Sequence, residues 1–233
     1  MKNVLITGAN RGLGKSMLSC FESAGWHVFA TARDIDSLPA RDQITRLTLD
    51  LADYQSVRAM AETVCASGQT IDVVINNAGY NPKDSADKDY FMSTFKIERF
   101  SGENIAKSLH INALAPTELT SKLLPCLADD AVVLNISSWL GSIGAKTGGG
   151  HYAYAGSKAL LNMFTKAMAL EFAEGGRAAV ALNPGWMRTD MGGARAKNTP
   201  EDVARAILDL YEAGTLRENN GAFLNIDGSH HEW

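Results

Sequence analysis

Thr7-Gly8-Ala9-Asn10-Arg11-Gly12-Leu13-Gly14, entered from the short apolar run Val4-Leu5-Ile6, is the stretch whose reading decides the fold. The apolar run has the character of a buried strand. Beyond the glycines, Leu13, Met17, Cys20, Phe21 and Ala24 recur at helical spacing, and Gly25 stands where a helix would stop. Strand, glycine turn and helix together give a glycine motif its meaning. Without a Cβ the backbone turns sharply and comes close to a pyrophosphate, and the new helix aims its unpaired N–H groups and positive dipole end at that anion. Glycines at such a turn are also common for purely structural reasons, so the rest of the chain has to decide.

The 233 residues suit one α/β domain covering 1–233, with enough length to bury a substantial core. An apolar fraction of 45% with 21% charged residues is that of a water-soluble globular chain. A formal net charge of −4 gives no electrostatic reason to expect nucleic acid or an anionic membrane as partner. No apolar run approaches the roughly 20 residues that span a bilayer, and Met1-Lys2 leads straight into the first strand without a signal-peptide pattern. Cys20, Cys65 and Cys126 are odd in number and scattered through apolar or helical segments. They read as buried free thiols of a cytoplasmic protein, not as a disulfide framework or metal site. The five histidines lack metal-ligand spacing, and His230-His231 reads as a surface pair.

Along the chain, strands are expected at 27–31, 44–50, 71–76, 131–137, 178–182 and 222–226 after the first. Helices are expected from Asp53 as N-cap to Ala66, from Gly102 to Leu127 with an interruption or bend near Pro116, from His151 to Glu174, and from Pro200 to Ala213 with Thr199 as N-cap. The segment from Tyr80 to Arg99 has no clear pattern. Alternation of strand and helix at this pace predicts a doubly wound parallel sheet.

Tyr154-Ala155-Gly156-Ser157-Lys158 is the second signal, because a spacing of four puts the Tyr hydroxyl and the Lys ammonium on one helical face. Alone it is a common surface pair. Here, however, the glycine turn, Asn77-Ala78-Gly79, Ser137-Ser138 and Asn183-Pro184-Gly185 all end strands. In a parallel sheet those ends share one edge, where ligands bind.

Taken together, these motifs resemble the short-chain dehydrogenase/reductase family over nearly the whole chain. The resemblance implies a single-domain Rossmann fold of seven parallel strands in the order 3-2-1-4-5-6-7, with helices on both faces. It implies a cofactor site built from Gly8, Asn10, Arg11, Gly12, Leu13 and Gly14, with Asp50 and Leu51 at the adenine and Asn77, Ala78 and Gly79 at a sheet-stabilising turn. Pro184, Gly185, Met187 and Thr189 match the segment that meets the nicotinamide carboxamide. Asn112, Ser138, Tyr154 and Lys158 match the catalytic tetrad, Tyr154 and Lys158 also touching the cofactor. Within the family, residues 183–193 and the ending Asp227-Gly228 to Trp233 are similar to the C-factor and Sniffer-type carbonyl reductases. Relatives that pair through their long helices imply a homo-oligomer, dimer or tetramer, although carbonyl reductases of this kind also occur as monomers. Two features depart from the family pattern. The Ser138–Tyr154 interval is long, with Lys146 to Gly150 as the extra material, and the segment after Met191 that carries a substrate lid in relatives is short.

The residue types fit carbonyl chemistry. A carbonyl that receives a hydride develops charge on oxygen and needs a proton. Free Tyr titrates near ~10, and Lys158 with an oxidised nicotinamide would lower Tyr154 toward useful acid–base chemistry. Ser138, preferred over Ser137 because the second Ser of the Ile-Ser-Ser pattern is the one that matches the family and strand alternation sends the two in opposite directions, would hold the carbonyl oxygen. The resemblance implies that Asn112 bends its helix and anchors a water that relays protons to Lys158; a satisfied buried Asn is the plainer alternative. At the end of the second strand Ala32 replaces the acidic residue of NAD-preferring enzymes and Arg33 follows it. With Arg11 this suits the 2′-phosphate of NADP(H). Asp34 beside them would either weaken phosphate binding or pair with an arginine. The expected function is NADPH-dependent reduction of an aldehyde or ketone to an alcohol. The alternative is a nucleotide-binding signalling protein of C-factor type with little turnover. Reduction of an activated C=C bond is a third reading, disfavoured by the Tyr–Lys spacing. Trp139, Tyr80, Trp186 and Phe91 or Phe95 are candidates for lining a substrate pocket.

Overall fold

Strands that are apolar on both faces need helices on both sides of the sheet, and the alternating chain supplies them. The computed structural model describes residues 1–82, 96–189 and 195–233. Its strands are β1 (Asn3–Ile6), β2 (His27–Ala32), β3 (Ile44–Thr48), β4 (Ile71–Asn76), β5 (Leu127–Ile136), β6 (Ala178–Asn183) and β7 (Phe223–Asn225). They form one sheet in the order β3-β2-β1-β4-β5-β6-β7, all pairs parallel. The chain thus has the expected Rossmann-type architecture.

Successive side chains divide the core. Val4, Ile6, Val73, Ile75, Val132 and Leu134 face α1 (Gly12–Ser23) and α6 (Pro200–Glu212). Leu5, Val74 and Val133 face α2 (Tyr54–Ala66), α4 (Ala115–Leu123) and α5 (Tyr152–Phe172), as a period of two requires. Asp53 caps α2 by accepting from Gln55 N, and Thr199 caps α6 by accepting from Asp202 N. Gly25 ends the α1 segment at φ +82°, a conformation that favours glycine. Within the buried layer Asn76 Nδ2 donates to Asn135 Oδ1 (2.8 Å) and Thr120 Oγ1 (3.2 Å), and Asn135 Nδ2 donates to Thr165 Oγ1 (2.8 Å). This chain fixes α4 and α5 on the sheet close to the carboxyl ends of the strands.

The long helix is interrupted at a π-turn, His110–Leu114, between α3 (Gly102–Leu109) and α4. Pro116 stands just after the π-turn, in the first turn of α4. Three expectations are corrected. β5 begins at Leu127, four residues before the expected start, its polar Asp129 and Asp130 being exposed before the strand enters the core. Cys65 and Cys126 are bonded to each other, and only Cys20 is a free thiol. All three are half-buried. Cys65 closes α2 and Cys126 closes the 3-10 turn Leu124–Cys126 after α4; their Cα atoms are 5.2 Å apart. Both cysteines lie just before adjacent strands, a proximity hidden by the 61 residues between them. Finally, only His230 of the histidine pair is exposed; His231 is half-buried against Phe223, with ring centroids 4.7 Å apart. The candidates Phe91 and Phe95, and residues 190–194 of the short lid segment, lie outside the described residues.

Candidate active site

The glycine turn closes against the end of β4. Thr7 Oγ1 accepts from Asn77 N (2.9 Å) and Ala78 N (3.0 Å), and Asn77 Nδ2 donates to Thr7 O (2.8 Å) and Gly8 O (3.3 Å). Gly8 is held at φ +67°, where a Cβ would lie 3.0 Å from the Ala78 methyl. At Gly14 a Cβ would sit 2.0 Å from Gly8 O and 2.7 Å from Asn77 Nδ2, so no side chain fits. Gly12, at φ +53°, faces Thr189 from the loop after β6. Arg11 precedes α1 in extended conformation without capping the helix through its own side chain, and the first turn of α1 carries no acid. Its leading amides and dipole are therefore available to an anion. Asn10 is half-buried at the turn and Leu13 is buried beneath it.

Arg11 and Arg33 are both exposed near the carboxyl ends of β1 and β2, and Ala32 is buried in strand pairing with Thr48. Asp34 Oδ1 accepts from Asp36 N (3.1 Å) and caps the turn Ile35–Ser37. Asp50 Oδ1 accepts from Ala52 N (2.9 Å) in the turn leading to α2, and Leu51 is buried beside it.

The tetrad residues converge from three elements. Ser138 follows β5 and stands beside the Tyr154 hydroxyl, where it favours the phenolate, whereas Ser137 turns away and donates to Asn162 Oδ1 (2.6 Å). Alternation thus sends the two serines in opposite directions. Lys158 is buried; its Nζ donates to Ile136 O (2.7 Å) and lies 5.8 Å from the Tyr154 ring centroid. Burial pushes Lys158 down to about 8 and Tyr154 up to about 12, with Ser138 opposing the latter. The expectation that Lys158 lowers Tyr154 is not met by the protein alone, because desolvation of the phenol dominates. Asn112 is buried in the π-turn; its Oδ1 accepts from Tyr80 N (2.7 Å), and its Nδ2 donates to Tyr80 O (2.7 Å) and Ser157 Oγ (2.9 Å). Its side chain is committed to the protein. Gly79 lies against both Asn112 and Lys158, at 3.4 and 4.0 Å from a Cβ built on it.

Pro184 and Gly185 follow β6, with Gly185 at φ +72° and its Cβ position 2.5 Å from Asn198 Nδ2. Met187 bridges to Asn198 and packs on the core. Trp139, Tyr80 and Trp186 are each half-buried. The extra residues Lys146 to Gly149 project outward and are closed by Lys146 Nζ on Gly150 O (3.4 Å), so the insertion leaves Ser138 and Tyr154 together.

Two further residues order this edge. Asn183 Oδ1 accepts from both Trp139 N (3.1 Å) and Gly185 N (3.2 Å), joining the loop after Ser138 to the loop after β6. Ser157 links Asn112 to α5 and donates to Tyr154 O (2.7 Å). Asn183 carried a sequence signal as the last residue of a strand; Ser157 carried none beyond lying next to Lys158.

The short chain dehydrogenase family profile matches residues 2–200. The chain is 37% identical over 181 residues to the C-signal protein of Myxococcus xanthus, covering 76% of this chain and all of that one. Its fold superposes on the carbonyl reductase Sniffer of D. melanogaster with TM-score 0.88, 29% identity and full coverage of both chains. It superposes on the NADPH-bound carbonyl reductase from chicken fatty liver with TM-score 0.82 and 28% identity, covering 100% of this chain and 99% of that one.

Proposed function

The chain belongs to the short-chain dehydrogenase family, and from that premise we propose that it is an NADPH-dependent carbonyl reductase. The observation that carries this reading is the Ser138–Tyr154–Lys158 cluster standing at the same sheet edge as an acid-free helix start. A relative solved with NADPH supports the cofactor, as do Arg11 and Arg33, two guanidinium groups suited to a 2′-phosphate.

The residues fit the cofactor. The amides of Gly12, Leu13 and Gly14 would receive the pyrophosphate, Asp50 and Leu51 would border the adenine, and Asn10 with Asn77–Gly79 would frame the dinucleotide. Pro184, Gly185, Met187 and Thr189 would meet the carboxamide end. NADPH, when bound, supplies the hydride. Ser138 positions the substrate carbonyl by hydrogen bonding its oxygen, and Tyr154 donates the proton that this oxygen needs. A hydroxyl held near 12 stays protonated across the physiological range, the correct state for a donor in the reducing direction. Lys158 holds the nicotinamide ribose and, as a cation, favours the phenolate left behind. Asn112 fixes the π-turn and the Tyr80 backbone beside Lys158. The substrate is a small carbonyl compound.

Tyr154→Phe tests this. Turnover of an aldehyde, ketone and quinone panel should fall by about 10³-fold or more, while NADPH binding persists. Full activity in the variant would sink the mechanism. A second reading, nucleotide binding in a signalling role, is favoured by the identity with C-signal. It predicts NADPH binding by the wild type without turnover of any carbonyl in the panel.

A further inference from the structure

The amino ends of the strands, away from Tyr154, carry a reactive group with no part in carbonyl reduction. A hollow of about 460 Å³ opens between α2 and α4, lined by Arg58, Glu62, Cys65, Lys122 and Pro125. Cys65 lines it and Cys126 does not, although the two are bonded. The Cys65 sulfur lies 3.9 Å from the Lys122 carbonyl oxygen, while the Cys126 sulfur is 3.2 Å from Leu123 O. Both cysteines are half-buried, so the bond is not sealed in the core. The hollow's charges are mixed: Lys122 and Arg58 are cations, Glu62 is a carboxylate, and Arg58 is held by Glu118 at 2.8 Å.

We propose that this hollow is a thiol–disulfide exchange site, where a small zwitterionic thiol of amino-acid type attacks the Cys65 sulfur. The incoming carboxylates match Lys122 and Arg58, and its ammonium matches Glu62. Neighbouring cations also raise the thiolate fraction of the attacking group. The thiolate forms a bond to Cys65 Sγ, the Cys65–Cys126 bond breaks, and its electron pair leaves on Cys126 Sγ. The proton lost by the thiol passes through solvent to Cys126. A second thiolate then attacks the bound thiol's sulfur, releases the small disulfide and leaves Cys65 as a thiol. Two thiols are oxidised to one disulfide, and the protein gains two electrons and two protons. Before the second attack the chain carries a covalent adduct, so Cys65 is a modification site.

The oxidised full-length protein is treated with reduced glutathione or, at equal thiolate concentration, with the uncharged 2-mercaptoethanol. Samples are quenched in acid, alkylated and mapped by mass. The mixed disulfide should sit on Cys65 with Cys126 free, and glutathione should react about fivefold faster, the scale of a surface charge contact. Lys122→Glu, at an exposed position, should remove that preference while leaving 2-mercaptoethanol unaffected; Lys122→Gln gives the same test with a milder change. Adduct on Cys126, equal rates for the two thiols, reaction only after unfolding, or three free thiols in the protein handled without reductant would each overturn the proposal.

Discussion

At the scale of single residues, Tyr154 and Lys158 show what the protein does without its cofactor. Burial drives both toward their neutral forms, Tyr154 up to about 12 and Lys158 down to about 8. The lysine shift has a consequence for binding. If NADPH is held by the Lys158 cation, the free enzyme must keep that proton to bind, and it loses it above about 8. The Kd for NADPH should therefore rise with pH above that point, by up to about tenfold per unit. Lys158→Met should bind more weakly at all pH and give a flat profile over the same range, measured by quenching of protein fluorescence. On the proposed reading the choice of cofactor is made at the end of β2, three strands along the sheet from β5. Arg33→Asp removes a charge-assisted contact to the 2′-phosphate, worth roughly tenfold to a hundredfold in affinity, and places a carboxylate where a 2′-hydroxyl would bind. Its KM for NADPH should rise while that for NADH falls; an unchanged ratio would show that Arg33 does not read the phosphate. Gly14 is the least replaceable position of the turn. A methyl 2.0 Å from Gly8 O cannot be accommodated without moving the backbone, and Gly14→Ala should cost about 1–3 kcal/mol in urea unfolding.

At the scale of elements, α2 and the α3–α4 segment are joined at three heights. The Tyr54 and His110 rings meet at 4.3 Å at one end, Arg58 pairs with Glu118 in the middle, and Cys65 bonds Cys126 at the other end. The disulfide closes a loop across a separation of 61 residues, for which chain-entropy reasoning gives about 4 kcal/mol of stabilisation. Cys65→Ala with Cys126→Ala should lower stability by that order in urea melts and leave the KM for NADPH unchanged, since the active site lies at the other ends of the strands. The same elements show what the sequence does and does not reveal. The first strand, glycine turn and α1 were legible because periodicity and glycine placement are local signals. Alternation of strand and helix gave the doubly wound parallel sheet, whereas the strand order and the grouping of Ser138, Tyr154 and Lys158 as one catalytic set came from the family resemblance. The resemblance put a bend at Asn112, while the local pattern pointed to the neighbouring Pro116 because proline is the visible helix breaker; the π-turn is stabilised by the distant Tyr80 backbone and Ser157. The Cys65–Cys126 bond had no local signal, since only the packing of α2 on α4 brings the two residues together.

At the scale of the whole molecule, the site exists because seven parallel strands bring their carboxyl ends to one edge. Its parts are tied across that edge: Thr7 binds Asn77 and Ala78, Asn183 joins Trp139 to Gly185, and Lys158 binds Ile136 O. A ligand contacting the loops after β1, β2, β4 and β6 at once would stabilise the whole sheet and not one loop. That gives a test of cofactor choice and function that needs no knowledge of the substrate. At about 100 times its Kd, NADPH should stabilise the fold by about 2.7 kcal/mol, roughly 5–10 °C in Tm for a chain of this size. NADH at the same concentration should do much less, because Arg11 and Arg33 gain no phosphate. Tyr154→Phe should keep the NADPH shift and lose turnover, whereas Arg33→Asp should lose most of the shift. If the wild type shows the full NADPH shift and oxidises no NADPH with any aldehyde, ketone or quinone, the binding protein is the better description. If NADH gives the larger shift, the assignment of the two arginines is wrong, and the cofactor reading falls with it.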